Sequence, residues 1–154
     1  AAVANLLEQR GLAFQRRSEG RSVPEEVSVV LGDSMGEMFG YYAAADLAFI
    51  GGSLLPFGGQ NLIEACAVGT PVLVGPHTHN FVEATRLAIE AGAAVQVQDA
   101  EDLMRSAHHL LDDPEALSRM RRQCAEFVKF NRGATERSQQ IITAILETAE
   151  SSGA

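Results

Sequence analysis

The chain has 154 residues, enough for one domain of about 100–200 residues with a real core. Hydrophobic residues make up 46% and charged residues 21%, a balance that excludes an intrinsically disordered chain. A formal net charge of −8 excludes a nucleic-acid surface, which needs clustered Lys and Arg, and argues against direct docking of this segment on anionic lipid.

The first residues, AAVANLLEQRG, carry apolar positions at helical spacing and stop at Gly11. The chain opens inside that pattern, which reads as a fragment of a longer protein. LAFQRRS then alternates as a short strand, RSVPEE is a polar loop, and EVSVVLG is a β-branched run that fits a buried strand. Ser34-Met35-Gly36-Glu37 has the Ser-x-x-Glu form of a capping box and predicts a helix from Ser34 to about Ala45. DLAFIGG is the next strand, Asn61 to Val68 a helix stopped by Gly69, and TPVLVG another strand. A helix from Asn80 to Ala91, a strand AAVQVQ and a helix from Ala100 to Leu111 follow. From Pro114 the pattern is helical almost to the end, with a break near Asn131-Arg132-Gly133 and a frayed tail SSGA. No apolar run reaches the length of a membrane span, and the amino terminus has no basic-then-apolar leader pattern.

Strands alternating with helices through glycine-bearing turns predict an α/β domain with a Rossmann-like, mostly parallel sheet flanked by helices. Residues 1–150 read as one ligand-binding domain lacking its first strand or strands, and 151–154 as a disordered tail. Ligands of such sheets bind beyond the carboxyl ends of the strands. Three turns follow apolar strands there: Gly32-Asp33-Ser34-Met35-Gly36-Glu37, Gly51-Gly52-Ser53 and Gly75-Pro76-His77-Thr78. Fold logic places all three at one edge, sharing a cleft.

Gly58 and Gly59 directly precede the helix at Asn61, whose first N–H groups and positive dipole end suit a phosphate. The pattern is neither G-x-G-x-x-G nor a P-loop, which excludes an ordinary NTPase. Taken singly, Gly51, Gly52, Gly58 and Gly59 are better explained as tight turns; together they favour a ligand. Glu64 has two readings of equal weight: a cap reaching back to the Asn61 backbone N–H, or a carboxylate accepting ribose hydroxyls. His77 and His79 lie in a turn with no third ligand at metal spacing, so His77 reads as a hydrogen-bonding group for phosphate or a sugar hydroxyl. His108 and His109 read as solvated. Cys66 and Cys124 fall in helical stretches without metal spacing and read as buried free thiols of a reducing compartment.

These motifs in this order, with Gly58-Gly59-Gln60-Asn61-Leu62-Ile63-Glu64 at their centre and Gly75-Pro76-His77-Thr78-His79-Asn80-Phe81 after it, resemble the Kdo (3-deoxy-D-manno-octulosonic acid) transferases of lipopolysaccharide assembly. Arg132-Gly133-Ala134-Thr135-Glu136-Arg137 is similar to their carboxyl-terminal stretch. The resemblance implies the GT-B arrangement of two Rossmann-like domains, with this chain as the carboxyl-terminal, donor-binding half. It implies CMP-Kdo as donor, a lipid A precursor as acceptor, and an inverting transfer that uses no metal and no cofactor. The catalytic carboxylate belongs to the amino-terminal domain, so the fragment binds nucleotide without turnover. Residue by residue, Glu64 matches the glutamate that holds the ribose, and Gly58, Gly59 and Asn61 match the phosphate-facing helix start, with N–H donors from Gly59 to Leu62. Ser34, Met35 and Gly36 match a loop near the nucleotide, and Gly51, Gly52 and Ser53 the segment framing the cleft.

The family commonly has His where Gln60 stands and an aromatic where His79 stands, so neither is assigned a role. Its His-Pro-Glu-Arg type segment lies upstream of Ala1. Without that arginine, CMP affinity is expected to fall by about 1.5–3 kcal/mol, roughly tenfold to a hundredfold. The resemblance places the protein at the cytoplasmic face of the bacterial inner membrane, with attachment through the other domain. The sequence leaves open whether the final helix packs on this domain or crosses to the other; in the second case its apolar face predicts a homodimer of the fragment. Two other readings stay open: the donor half of a GT-B enzyme that uses a UDP-sugar, and a non-catalytic Rossmann-like ligand module.

Overall fold

The computed structural model describes residues 2–131 together with 139, 142 and 143. The Arg132–Arg137 stretch, the break after Asn131, the tail and the remainder of the final helix lie outside the described residues. The chain forms two compact units, Ala1–Met38 and Phe39–Ala154.

The first unit holds helix α1 (Ala2–Gln9) and two parallel strands, β1 (Phe14–Arg16) and β2 (Val29–Leu31), in register Phe14 to Val29. A single 3-10 turn, Arg17–Glu19, follows β1 and is pinned by Asp33, which accepts the Ser18 N–H at 2.9 Å and the Ser18 hydroxyl at 2.7 Å. The capping box expected at Ser34 does not form. The Ser34 hydroxyl donates to the Glu37 side chain, and Glu37 also pairs with Arg17 at 2.7 Å. With Glu37 drawn back toward the 3-10 turn, helix α2 starts only at Met38 and runs to Ala44.

The second unit is a three-stranded parallel sheet in the order β3 (Ala48–Phe49), β4 (Val72–Val74), β5 (Ala94–Gln96). Strand β4 is central and buried on both faces, and its side chains alternate between two cores, as a period of two requires. Val72 and Val74 join Ile50, Cys66, Ala88, Cys124 and Phe127, while Leu73 joins Val97, Leu110, Leu117 and Met120. Each fully buried aliphatic side chain contributes about 1.5–3 kcal/mol, so this strand anchors the unit.

Helices α3 (Ile63–Ala67), α4 (Val82–Glu90), α5 (Ala100–Leu111) and α6 (Pro114–Asn131) cover the sheet. Helix α5 has its predicted bounds because Asp99 accepts the Asp102 N–H at 2.8 Å while Asp102 accepts the Gln98 N–H at 2.9 Å. Asp113 caps α6 in the same way, accepting from Ala116 ahead of a proline in the first helical position. Cys66 and Cys124 are free and buried, and the Cys124 thiol donates weakly to the Thr70 and Ala93 carbonyls.

Candidate functional site

The loops after β3 and β4 leave adjacent parallel strands at their carboxyl ends, so they emerge side by side. The β3 loop closes on itself where the Gly59 N–H donates to the Gly52 carbonyl at 3.0 Å. Ser53, inside that closure, is fully buried. Its hydroxyl donates to the Ile50 carbonyl at 2.5 Å and accepts the Gly75 N–H at 2.8 Å, and its carbonyl accepts the His77 N–H at 2.9 Å. Gly75 lies so close to the Ser53 backbone that a Cβ there would overlap the Ser53 carbonyl.

Farther along, the Asn80 N–H donates to the Gly58 carbonyl at 3.2 Å, and the Asn80 side-chain amide donates to the Phe57 carbonyl at 3.3 Å. Gly58 has φ +92°, and a Cβ on it would collide with the Asn80 amide, so two independent constraints select glycine. These uses of Asn80 also explain why α4 begins at Val82 and not at Asn80. The turn explanation of the glycines is therefore correct for Gly58, whatever else the loop does.

Helix α3 begins differently from the capping box expected of it. Asn61 Oδ1 accepts the Ile63 N–H at 3.0 Å, and Asn61 Nδ2 donates to Glu64 Oε1 at 3.1 Å. Glu64 is thus gripped by the Asn61 side chain and does not reach the Asn61 backbone N–H. The half-buried carboxylate faces Tyr42, whose phenol is pushed above its ordinary value by burial and then by the Glu64 charge. Among the described residues, Glu64 Oε2 and the backbone N–H groups of Gln60, Asn61 and Leu62 have no hydrogen-bond partner. At five residues, α3 is too short for a large dipole, so these individual donors matter more than the helix field.

Within the second unit, the structure brings Gly52, Ser53, Gly58, Gly59, Asn61, Leu62, Glu64 and His77 onto two joined loops and the helix start that follows one of them. Ser34, Met35 and Gly36 belong to the first unit, just beyond the carboxyl end of β2, with Met35 97% exposed. Three expected roles change. The Gly59 N–H is already donated to Gly52, so the open donors are those of Gln60 and Asn61. Leu62 is 1% exposed as a whole residue, so its N–H is enclosed along with its side chain. The Ser53 hydroxyl is enclosed and used in both directions, so it touches no ligand. The His77 ring is exposed, whereas its backbone is held by Ser53. Asn80 and Tyr42 were missed as neighbours of the site. The run His77-Thr78-His79-Asn80 drew attention to its histidines, and nothing local marks Tyr42 as a neighbour of Glu64.

A parallel α/β unit that gathers glycine loops, open N–H donors and a carboxylate at the carboxyl ends of its strands has the layout in which open α/β sheets bind ligands. The family described as glycosyl transferases group 1 matches residues 11–127, and the chain belongs to it. It is similar to the 3-deoxy-D-manno-octulosonic acid transferase of Bordetella pertussis, 50% identical over 133 residues that cover 86% of this chain and 31% of that protein. It is also similar to the enzyme of the same name from Haemophilus influenzae, 38% identical over 146 residues covering 94% of this chain and 34% of that one. Among solved structures, it resembles the C-terminal CMP-Kdo binding domain of WaaA from Acinetobacter baumannii, with a TM-score of 0.78 and 33% identity across 82% of this chain and 66% of that one. The chain spans about a third of the length of the two curated relatives.

Proposed function

We propose that this chain is the donor-binding domain of a glycosyltransferase that moves Kdo from CMP-Kdo to a lipid A precursor. The observation that carries this reading is the pair of open backbone donors at Gln60 and Asn61 beside the Glu64 carboxylate. The likeness to the Acinetobacter CMP-Kdo binding domain and to the Bordetella transferase supports it.

Loss of cytidylate from the donor develops negative charge on the phosphoryl oxygens while the sugar becomes cation-like. N–H groups fixed in advance stabilise that charge without reorganising, and removing one such donor typically costs about 3–4 kcal/mol of transition-state stabilisation. Glu64 accepts the ribose hydroxyls through its open oxygen while Asn61 holds the other, which fixes the position of the reacting bond. The His77 ring adds a hydrogen bond to phosphate or sugar. The transfer is inverting and metal-independent, with its catalytic carboxylate in the amino-terminal part of the whole enzyme. This chain alone therefore binds donor without turnover. The enzyme works at the cytoplasmic face of the inner membrane and attaches through its other part; no described helix is long and apolar enough to cross a membrane.

Calorimetric titration of the chain with CMP, UDP and NAD tests the reading. Saturable binding with CMP preferred is the expected result. Preference for UDP would reassign the donor to a UDP-sugar, and binding of none of the three would remove the donor role.

A further inference from the structure

We infer that Ser53 and Asn80 are positioning residues, two clasps that lock the β3 loop to the β4 loop and so fix the direction of the Gln60 and Asn61 donors. The inference takes its ligand from the proposed donor role, but the locking device rests on hydrogen-bond geometry alone.

The β3 loop must cross from Ile50 to the start of α3 without regular secondary structure, and an unrestrained loop of that length samples many shapes. Its near end is held by Ser53, whose buried hydroxyl is the acceptor for the Gly75 N–H and whose carbonyl takes the His77 N–H. Its far end is held by Asn80, through one backbone and one side-chain bond to Gly58 and Phe57. Enclosing both clasps, the Gly59 N–H is tied back to the Gly52 carbonyl. The first open donor, Gln60, therefore follows directly on a segment fixed from both sides. Ser53 has no exposed surface, and the Asn80 amide N–H donates to Phe57, so neither needs to meet the ligand in order to control it. Ser53→Ala strands the buried Gly75 N–H, and Asn80→Ala frees the far end of the loop.

Amide hydrogen exchange on the ligand-free, isotope-labelled chain, paired with CMP titration, tests this for both variants. Each variant is expected to accelerate exchange at Gly59, Gly75, His77 and Asn80 together, including amides whose own partner is intact. Exchange at Val72 and Leu73 should stay slow, and the CMP dissociation constant should rise about tenfold. Acceleration confined to Gly75 in Ser53→Ala and absent in Asn80→Ala, with CMP affinity within about twofold of the parent, overturns the inference. If Ser53→Ala does not fold, Asn80→Ala, altered at an exposed position, decides it alone. If the unmodified chain binds no CMP, the donor role falls, and the exchange pattern still judges the clasps.

Discussion

The Asn61 side-chain amide donates to Glu64 Oε1 at 3.1 Å while its carbonyl oxygen caps the Ile63 N–H at 3.0 Å, so one side chain both starts α3 and aims its carboxylate. Structure and binding are coupled at this point, and substitutions can separate them. Glu64→Gln can retain a carbonyl acceptor for Asn61 but loses the charge and weakens acceptance of ribose hydroxyls. CMP affinity should fall by about tenfold to a hundredfold, the scale of a lost hydrogen bond to a charged group, with the melting temperature unchanged. Calorimetry beside thermal melts reads both quantities. Undiminished CMP binding would remove the ribose role from Glu64.

Asn61→Ala should instead move both readouts. Loss of an N-terminal cap typically costs about 0.5–2 kcal/mol of stability, and a Glu64 released from its partner should also bind CMP less tightly. A urea titration gives the first effect. A variant that keeps full stability would mean that the Ile63 N–H is satisfied equally well by water.

The two glycines of the Gly51-Gly52 pair look equivalent in sequence, as do Gly58 and Gly59, but their positions are not. Gly58 has φ +92° and no room for a Cβ, whereas Gly51 lies outside the left-handed region with nothing within 4 Å of an added Cβ. Gly58→Ala should lower unfolding free energy by at least about 1–2 kcal/mol from backbone strain alone, and more once Asn80 is displaced. Gly51→Ala should fall within about ±0.5 kcal/mol of the parent. Equal effects in urea titrations would show that the crowding at Gly58 does not govern the loop.

Legibility in the sequence followed the range of the interactions involved. Strand β4 was readable from its own residues, and the bounds of α5 held because its cap is local, with Asp99 accepting the N–H of Asp102 three positions on. The start of α2 was misread because Glu37 answers to Arg17, 20 residues away, and not to its own helix. The same applied within the site. The glycine loops and Glu64 were visible as local motifs. The inward turn of Ser53 was not, because it depends on Gly75, 22 residues on, and the clasp from Asn80 depends on Phe57, 23 residues back. A motif shows which residues crowd a strand end. Whether a hydroxyl there meets a ligand or a neighbouring loop depends on the pairing of β3 with β4.

Cys66 and Cys124 are 1% and 0% exposed, and hydrogen bonding with Cys124 together with burial pushes the Cys66 thiol well above the usual thiol range. Burial keeps the reagent from both sulfurs, so the native chain should resist alkylation by iodoacetamide at pH 8. Both thiols should react in guanidinium chloride, as counted by mass spectrometry. Fast native labelling at either residue would place α3 or α6 in frequent local opening.

Acid should weaken the fold through carboxylates whose native partners are lost on unfolding. Asp102 is held below its ordinary value first by the Gln98 N–H and then by Arg105, and Asp33 first by the Ser18 hydroxyl and then by the Ser18 N–H. A depressed native value means that the folded state releases its proton more readily than the unfolded chain, whose Asp titrates near about 3.9. The stabilisation is therefore fully present above that value and disappears as pH falls through the lower native one. Melting temperatures followed by circular dichroism from pH 7 to pH 2.5 should hold level down to about pH 4 and then decline. Asp102→Asn removes one titrating group, so its melting temperature should start lower at pH 7 and lose less across the acid range. Parallel curves for the two proteins would mean that the Gln98–Asp102 cap is equally populated whether or not the carboxyl carries charge.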